Sequence, residues 1–136
     1  MKQYIYILLI LIGGSMSAMA LPITDEALLS YQTDDYGGAM QAYTLRIERI
    51  ENRQKKQMKI FKKCTKDAHG DPDIPCFFPA TDPNLAVNYY SRGIARKYWG
   101  DHSGSMEDFN KAAALFLATG NMQGYQLVLN LLSRFK

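Results

Sequence analysis

The sequence predicts an all-α domain of antiparallel helix pairs, interrupted by one loop. Apolar residues recur at three- and four-residue steps over long stretches. Short Gly-Asp and Gly-Asn breaks separate these stretches, and no segment has the alternation or β-branched enrichment of a strand. The composition, 47% hydrophobic and 21% charged, is typical of a globular protein. It excludes a disordered tail, a collagen-like fibre and a multi-span membrane protein.

The N-terminus has the pattern of an export signal. Lys2 precedes an unbroken apolar run over residues 4–12, and Ala18 and Ala20 give the small-x-small pattern of a cleavage site. An uncleaved anchor is the alternative, but the run is shorter than the roughly 20 residues that a spanning helix needs. We therefore expect residues 1–20 to be a cleaved signal peptide. The remaining residues, 21–136, suit a single domain.

The two cysteines, Cys64 and Cys76, enclose a segment containing Gly70, Pro72 and Pro75. Because these residues exclude regular helix, we expect a loop there. In an oxidising compartment such a pair predicts a disulfide, with free thiols as an alternative. A second alternative is a metal site that joins both cysteines to His69 and one of Asp67, Asp71 or Asp73. The spacing fits no common zinc pattern, so we expect no metal.

The first long helix is predicted from Tyr36 to Lys63, after a short helix over residues 25–32 that Thr24 caps. One apolar stripe carries the long helix, formed by Tyr36, Met40, Tyr43, Ile47 and Ile50. The stripe fades over residues 51–57, so we expect the helix to project into solvent there.

Three more helices are predicted after a loop over residues 64–83. Asn84 fits an N-cap for the first of them, which runs to Trp99. The second spans residues 103–119, and the third follows Gly120-Asn121 and runs to Phe135. We expect the leucines of the last helix to lie in the core; they are Leu127, Leu129, Leu131 and Leu132.

Residues 86–115 carry large, small and turn residues at a regular spacing. These residues are Tyr89, Gly93, Ala95, Gly100, Asp101, Ser105, Phe109 and Ala112. In this spacing the segment resembles one tetratricopeptide repeat, a helix-turn-helix unit of about 34 residues. The segment departs from the family at Arg92, Arg96 and His102, and no proline closes the repeat.

Fainter copies of the same turn occur at residues 35–43 and 120–125. The resemblance therefore implies a short α-solenoid within one domain. In this layout residues 21–63 are a degenerate first helix pair and residues 64–83 the cysteine-containing loop. Residues 84–118 are the best-matched unit, and residues 119–136 form a terminal helix.

The resemblance also implies a non-catalytic protein- or peptide-binding module, acting as a scaffold or assembly factor. First helices line the groove in that family, and the matching groove positions here are Val87, Tyr90, Ile94, Lys97 and Tyr98. An aromatic and basic lining suits an extended peptide that carries carboxylates. The alternative is that Tyr90 and Tyr98 simply pack against a neighbouring helix.

Charge is concentrated in one segment. Residues 46–66 carry nine basic and two acidic side chains. The basic face consists of Arg46, Arg49, Arg53, Lys55, Lys56, Lys59, Lys62, Lys63 and Lys66. A solvated helix face is one interpretation, and contact with an acidic protein or an anionic membrane surface is another. Export argues against nucleic acid. The alternative function is thus a structural or membrane-surface protein acting through this segment.

The sequence predicts neither an enzyme nor a cofactor site. Asp101-His102-Ser103 contains the residue types of a hydrolase triad, but adjacent residues point in different directions. No nucleophile elbow, phosphate loop or His-Glu-x-x-His is present. The expected location is the periplasm, with the thylakoid lumen or the extracellular space as alternatives.

Overall fold

A computed structural model of the chain describes residues 33–71 and 73–135. These residues form four α-helices and a final 3₁₀ turn, and they contain no strand. The helices are α1 (Tyr36–Asp67), α2 (Pro83–Trp99), α3 (His102–Ala118) and α4 (Met122–Leu132), followed by the turn Ser133–Phe135. The all-α prediction is confirmed for this part of the chain. The signal peptide and the short helix over residues 25–32 were predicted for a segment outside the described residues.

Each helix packs mainly on its neighbours in sequence, α1 on α2, α2 on α3 and α3 on α4. α1 and α2 are antiparallel, since Tyr36 at the start of α1 stacks on Tyr98 at the end of α2. One apolar core joins all four helices. Its buried members are Ile47, Ile50, Leu85, Ala86, Tyr89, Phe109, Ala112, Ala113, Phe116 and Val128.

The same N-terminal cap begins three of the helices. In each, a side-chain oxygen of the cap residue accepts a hydrogen bond from the backbone N–H of a glycine three positions later. The pairs are Asp35 with Gly38, Asp101 with Gly104 and Asn121 with Gly124. The residue before each cap has a positive φ, at Asp34 (56°), Gly100 (93°) and Gly120 (72°). The three turns that the sequence aligns therefore share one local conformation.

Two predicted helix boundaries are wrong. α1 continues through Cys64 to Asp67, and the chain leaves helical geometry only at His69 and Gly70, whose φ angles are +44° and +81°. α2 begins one residue before Asn84, and its cap is Asp82, which accepts a hydrogen bond from the Asn84 N–H. Pro83 occupies the first turn, where a missing N–H costs nothing.

The second half of α1 and the chain returning from it form a unit that we call the disulfide hairpin, residues 54–82. The Cys64–Cys76 disulfide is confirmed, with the two Cα atoms 5.8 Å apart. The Phe78 ring meets the edge of Phe61 at a centroid distance of 5.2 Å. The returning chain thus covers one side of the second half of α1. This half of the helix therefore projects into solvent less than predicted.

The terminal helix α4 is only half-buried. Val128 is fully buried, and Leu131 and Leu132 pack at the edge of the core. The core prediction is wrong for Leu127 and Leu129, which are exposed. Since α4 packs mainly on α3, its remaining faces keep their apolar side chains uncovered.

Candidate functional site

The α2–α3 hairpin forms the base of the candidate site. Six of the eight positions that resemble the repeat motif are buried in or beside this interface, namely Tyr89, Gly93, Ala95, Ser105, Phe109 and Ala112. Gly100 and Asp101 form the turn and the cap between the two helices. A Cβ on Gly93 would lie 2.8 Å from the Phe109 ring, so only glycine allows this helix approach.

A buried ion pair crosses the same interface. Arg92 donates two hydrogen bonds to Asp108, from Nε at 2.9 Å and from Nη2 at 2.8 Å. The Asp108 side chain is 0% exposed. The hydrogen bonds to Asp108 raise the pKa of the Arg92 guanidinium above its usual value. A bidentate pair of this kind fixes the rotation of one helix against the other.

Two further contacts extend this pair into a network. Arg92 Nη1 donates to Thr44 Oγ1 on α1 at 3.1 Å, and Arg96 Nη1 lies 3.2 Å from Asp108 Oδ2. Arg92 and Arg96 depart from the repeat motif, and their pairing with Asp108 was not predicted from the sequence. The available signal was two arginines one turn apart on a predicted helix, since a charged side chain that is buried needs a partner.

Tyr89 forms a second polar contact between α2 and α1. Its hydroxyl donates a 2.6 Å hydrogen bond to Glu51 Oε1. Burial, together with this hydrogen bond to a carboxylate, raises the pKa of Tyr89 well above its usual range. These contacts support the fold and leave a different face of α2 for ligands.

A groove lies between α2 and α4, with a volume of about 240 Å³. Two of the predicted groove residues, Val87 and Tyr90, form its α2 wall. The opposite wall and the floor come from Phe116, Asn121, Gln123, Gly124 and Leu127. α4 packs closely on α3 at Gly124, where the absence of a side chain leaves room for the Phe116 ring. A Cβ on Gly124 would lie 2.7 Å from that ring. Apolar walls with an amide side chain at the rim are typical of a small binding groove.

The other three predicted groove residues do not line this cavity. Ile94 packs at the edge of the core, and Lys97 Nζ lies 5.2 Å from the centre of the Phe135 ring. Phe135 also packs edge-on against Phe109, with centroids 5.8 Å apart. Tyr98 lies elsewhere, stacked on Tyr36 of α1 at 5.3 Å. Val87, Tyr90, Ile94 and Lys97 share one face of α2 at three- and four-residue steps, whereas Tyr98 lies about 100° around the helix from Lys97.

The basic face lies entirely on α1, but its nine residues have different surroundings. Arg46, Arg49 and Arg53 line a second cavity of about 320 Å³ with Asn84 and Asn88 of α2. The six lysines belong to the disulfide hairpin and are exposed.

No metal centre is found in residues 33–71 and 73–135, where no cluster of three or more His, Cys, Asp or Glu residues is placed to hold an ion. None of the described helices is long and apolar enough to cross a membrane. Comparisons with protein-family models, with curated proteins and with solved structures find no match. The geometry of the chain alone therefore supports the functional proposals.

Proposed function

We propose that this protein is an exported, non-catalytic binding module of tetratricopeptide-like helix pairs, and that it holds a short extended peptide of a partner protein in the groove between α2 and α4. One observation carries the proposal: this groove keeps apolar side chains accessible on both walls after the core has formed. Leu127 is 49% exposed at one rim, opposite Val87 and Tyr90.

The dimensions of the groove favour a peptide. The stretch of α2 that lines the groove, from Val87 to Tyr90, is about 4.5 Å long, which matches one to two residues of an extended chain. Gln123 at the rim offers an amide donor and acceptor to the peptide backbone. The groove thus suits one apolar side chain flanked by backbone hydrogen bonds.

The repeated caps support the tetratricopeptide-like assignment, since three turns with one conformation are what a repeat array requires. The Cys64–Cys76 disulfide indicates an oxidising compartment. With the signal-like N-terminus, it supports export to the periplasm through a cleaved signal peptide, the location in which we place the partner.

A peptide-display selection against the immobilised protein tests the groove. Peptides enriched by the wild type are then measured in solution against Leu127→Asp and Leu129→Asp. Both leucines are exposed on α4, but only Leu127 lines the groove. We expect Leu127→Asp to weaken binding by at least about tenfold, a loss of roughly 1.4 kcal/mol. Leu129→Asp should leave peptide binding unchanged.

Circular dichroism of both variants checks that α4 still folds. If no peptide is enriched, or if both aspartates weaken binding equally, the groove is not the binding site.

A further inference from the structure

The disulfide hairpin carries an exposed apolar patch. Phe77 is 85% exposed, Ile60 is 69% exposed and Phe78 is 68% exposed. They line one shallow cavity of about 340 Å³, together with Gln57, Phe61, Cys64, Pro75 and Pro79. Single exposed apolar residues are common on protein surfaces, whereas a contiguous patch of this kind marks an interaction site.

A row of positive charges leads to this patch. We call it the basic stripe, formed by Arg46, Arg49, Arg53, Lys56 and Lys63. Successive members are three, four, three and seven residues apart, so they share one face of α1. Ile60 lies on the same face, between Lys56 and Lys63. The stripe is about 26 Å long.

One end of the basic stripe has arginine side chains that could bind an anion. Arg46, Arg49 and Arg53 line the second cavity, and Arg46 Nη1 is buried with no hydrogen-bond partner within the described residues. Arg53 pairs with Asp82 at 2.6 Å and is still half-exposed. Guanidinium groups bind phosphate oxygens in preference to water when both are available.

We propose that the disulfide hairpin docks on an anionic lipid bilayer, with Phe77 and Ile60 entering the interfacial region and the basic stripe facing the lipid phosphates. This proposal is independent of the peptide groove, which lies between α2 and α4.

Three features favour a bilayer over an acidic protein. The apolar side chains protrude from the hairpin, which suits a fluid medium better than a shaped partner surface. The cations beside Ile60 are lysines, whose long stems can reach lipid headgroups while the helix lies at the interface. Basic residues attract an anionic membrane surface one by one, so the stripe needs no complementary geometry.

Flotation with lipid vesicles tests the proposal. The oxidised protein is recovered after export, and mass spectrometry checks its N-terminus, because residues 4–12 would bind lipid by themselves. We expect binding to phosphatidylglycerol-containing vesicles and none to pure phosphatidylcholine vesicles. Binding should weaken as salt is added.

Matched charge variants locate the surface. Arg49→Gln, Lys56→Gln and Lys63→Gln together remove three charges from the basic stripe. Lys55→Gln, Lys62→Gln and Lys66→Gln remove three from the other faces of α1. All six side chains are exposed. The stripe variant should bind about 100-fold more weakly. The control variant should lose much less vesicle binding, because the charges that it removes lie about a Debye length further from the lipid surface.

Phe77→Ser tests the apolar part, since this side chain covers little of the protein and its loss should spare the fold. We expect at least about tenfold weaker vesicle binding. Equal losses in the two charge variants, or no effect of Phe77→Ser, would overturn the proposal. So would equal binding of soluble polyglutamate and anionic vesicles, which would indicate an acidic protein partner. Leu127→Asp should leave vesicle binding unchanged, so each proposal fails separately.

Discussion

The α2–α3 hairpin and the disulfide hairpin are both helices with a segment folded against them, but different interactions hold them. In the α2–α3 hairpin, a glycine contact and a buried ion pair lock two capped helices together. In the disulfide hairpin, the disulfide, the Phe61–Phe78 contact and the Arg53–Asp82 ion pair hold an irregular segment to α1. The first buries Tyr89, Phe109 and Phe116, whereas the second leaves Ile60, Phe77 and Phe78 exposed.

This difference separates stability from interaction. The α2–α3 hairpin buries Phe109 and pairs Arg92 with Asp108 across its interface, so substitutions at these residues should act on folding. The disulfide hairpin keeps Phe77 and its lysines accessible, so substitutions there should act on binding.

Removing the buried carboxylate should have the largest effect. Asp108→Ala strands Arg92 without its partner in a nearly buried site. We expect the free energy of unfolding to fall by about 3–5 kcal/mol, measured by urea denaturation. The double variant Arg92→Leu/Asp108→Ala should recover much of this loss, because it removes the stranded cation. A single variant as stable as the wild type would contradict the assigned role of the pair.

Removing the disulfide should cost up to about 3 kcal/mol, and the effect should be local. In Cys64→Ser/Cys76→Ser, hydrogen exchange should accelerate over residues 68–82 and the second half of α1. Amides of α2 and α3 should keep their protection, because the buried members of the main core all lie in the helices and outside the loop. Equal acceleration in both hairpins would show that they unfold together.

Filling the closest helix approach should cost about 1–3 kcal/mol. Gly93→Ala places a methyl group against the Phe109 ring, which the core cannot move aside. Gly37→Ala is the matched control, since its nearest neighbours lie at 3.6 Å, an ordinary contact distance. Thermal denaturation should show a lower midpoint for Gly93→Ala only. A lower midpoint in both variants would point to a general effect of helical glycines.

The smallest expected effect is a pH dependence. The pKa of Tyr89 is raised in the folded protein above its unfolded value of about 10 by burial and by the hydrogen bond to Glu51. The folded state therefore holds this proton more tightly. The contribution of Tyr89 to the free energy of unfolding is complete below pH 10, and it is lost as the pH rises toward the pKa of the folded state. Tyr89→Phe should flatten the fall in stability above pH 10, as urea titrations would show. If stability falls equally steeply with pH in Tyr89→Phe and in the wild type, other titrating groups cause the fall.

Much of the described fold could be predicted from the sequence because its signals are local. Three- and four-residue apolar spacing gave the helices, and Gly-Asp and Gly-Asn dipeptides gave the turns. The disulfide followed from having two cysteines around a loop. The helix ends were less certain, because Asp82 and Asn84 are both good caps and only Pro83 decides between them.

The site was harder to predict because it depends on contacts between distant residues. The position of Phe135 beneath Lys97 could not be read from either segment alone. The partnership of Arg92 with Asp108 needed the rotation of two helices to be known. Exposed Leu127 and Leu129 resemble core residues in sequence, and only the packing of α4 shows that nothing covers them within the described chain.

The three matching caps have a consequence for engineering. Asp35, Asp101 and Asn121 each start a helix after a residue of positive φ, so the junctions are interchangeable connectors. A second copy of residues 35–100, which hold α1 and α2, inserted before Asp101 would meet the backbone geometry that it already has at both ends. Such a chain should fold with one more helix pair, so the length of the protein could be adjusted by whole helix pairs.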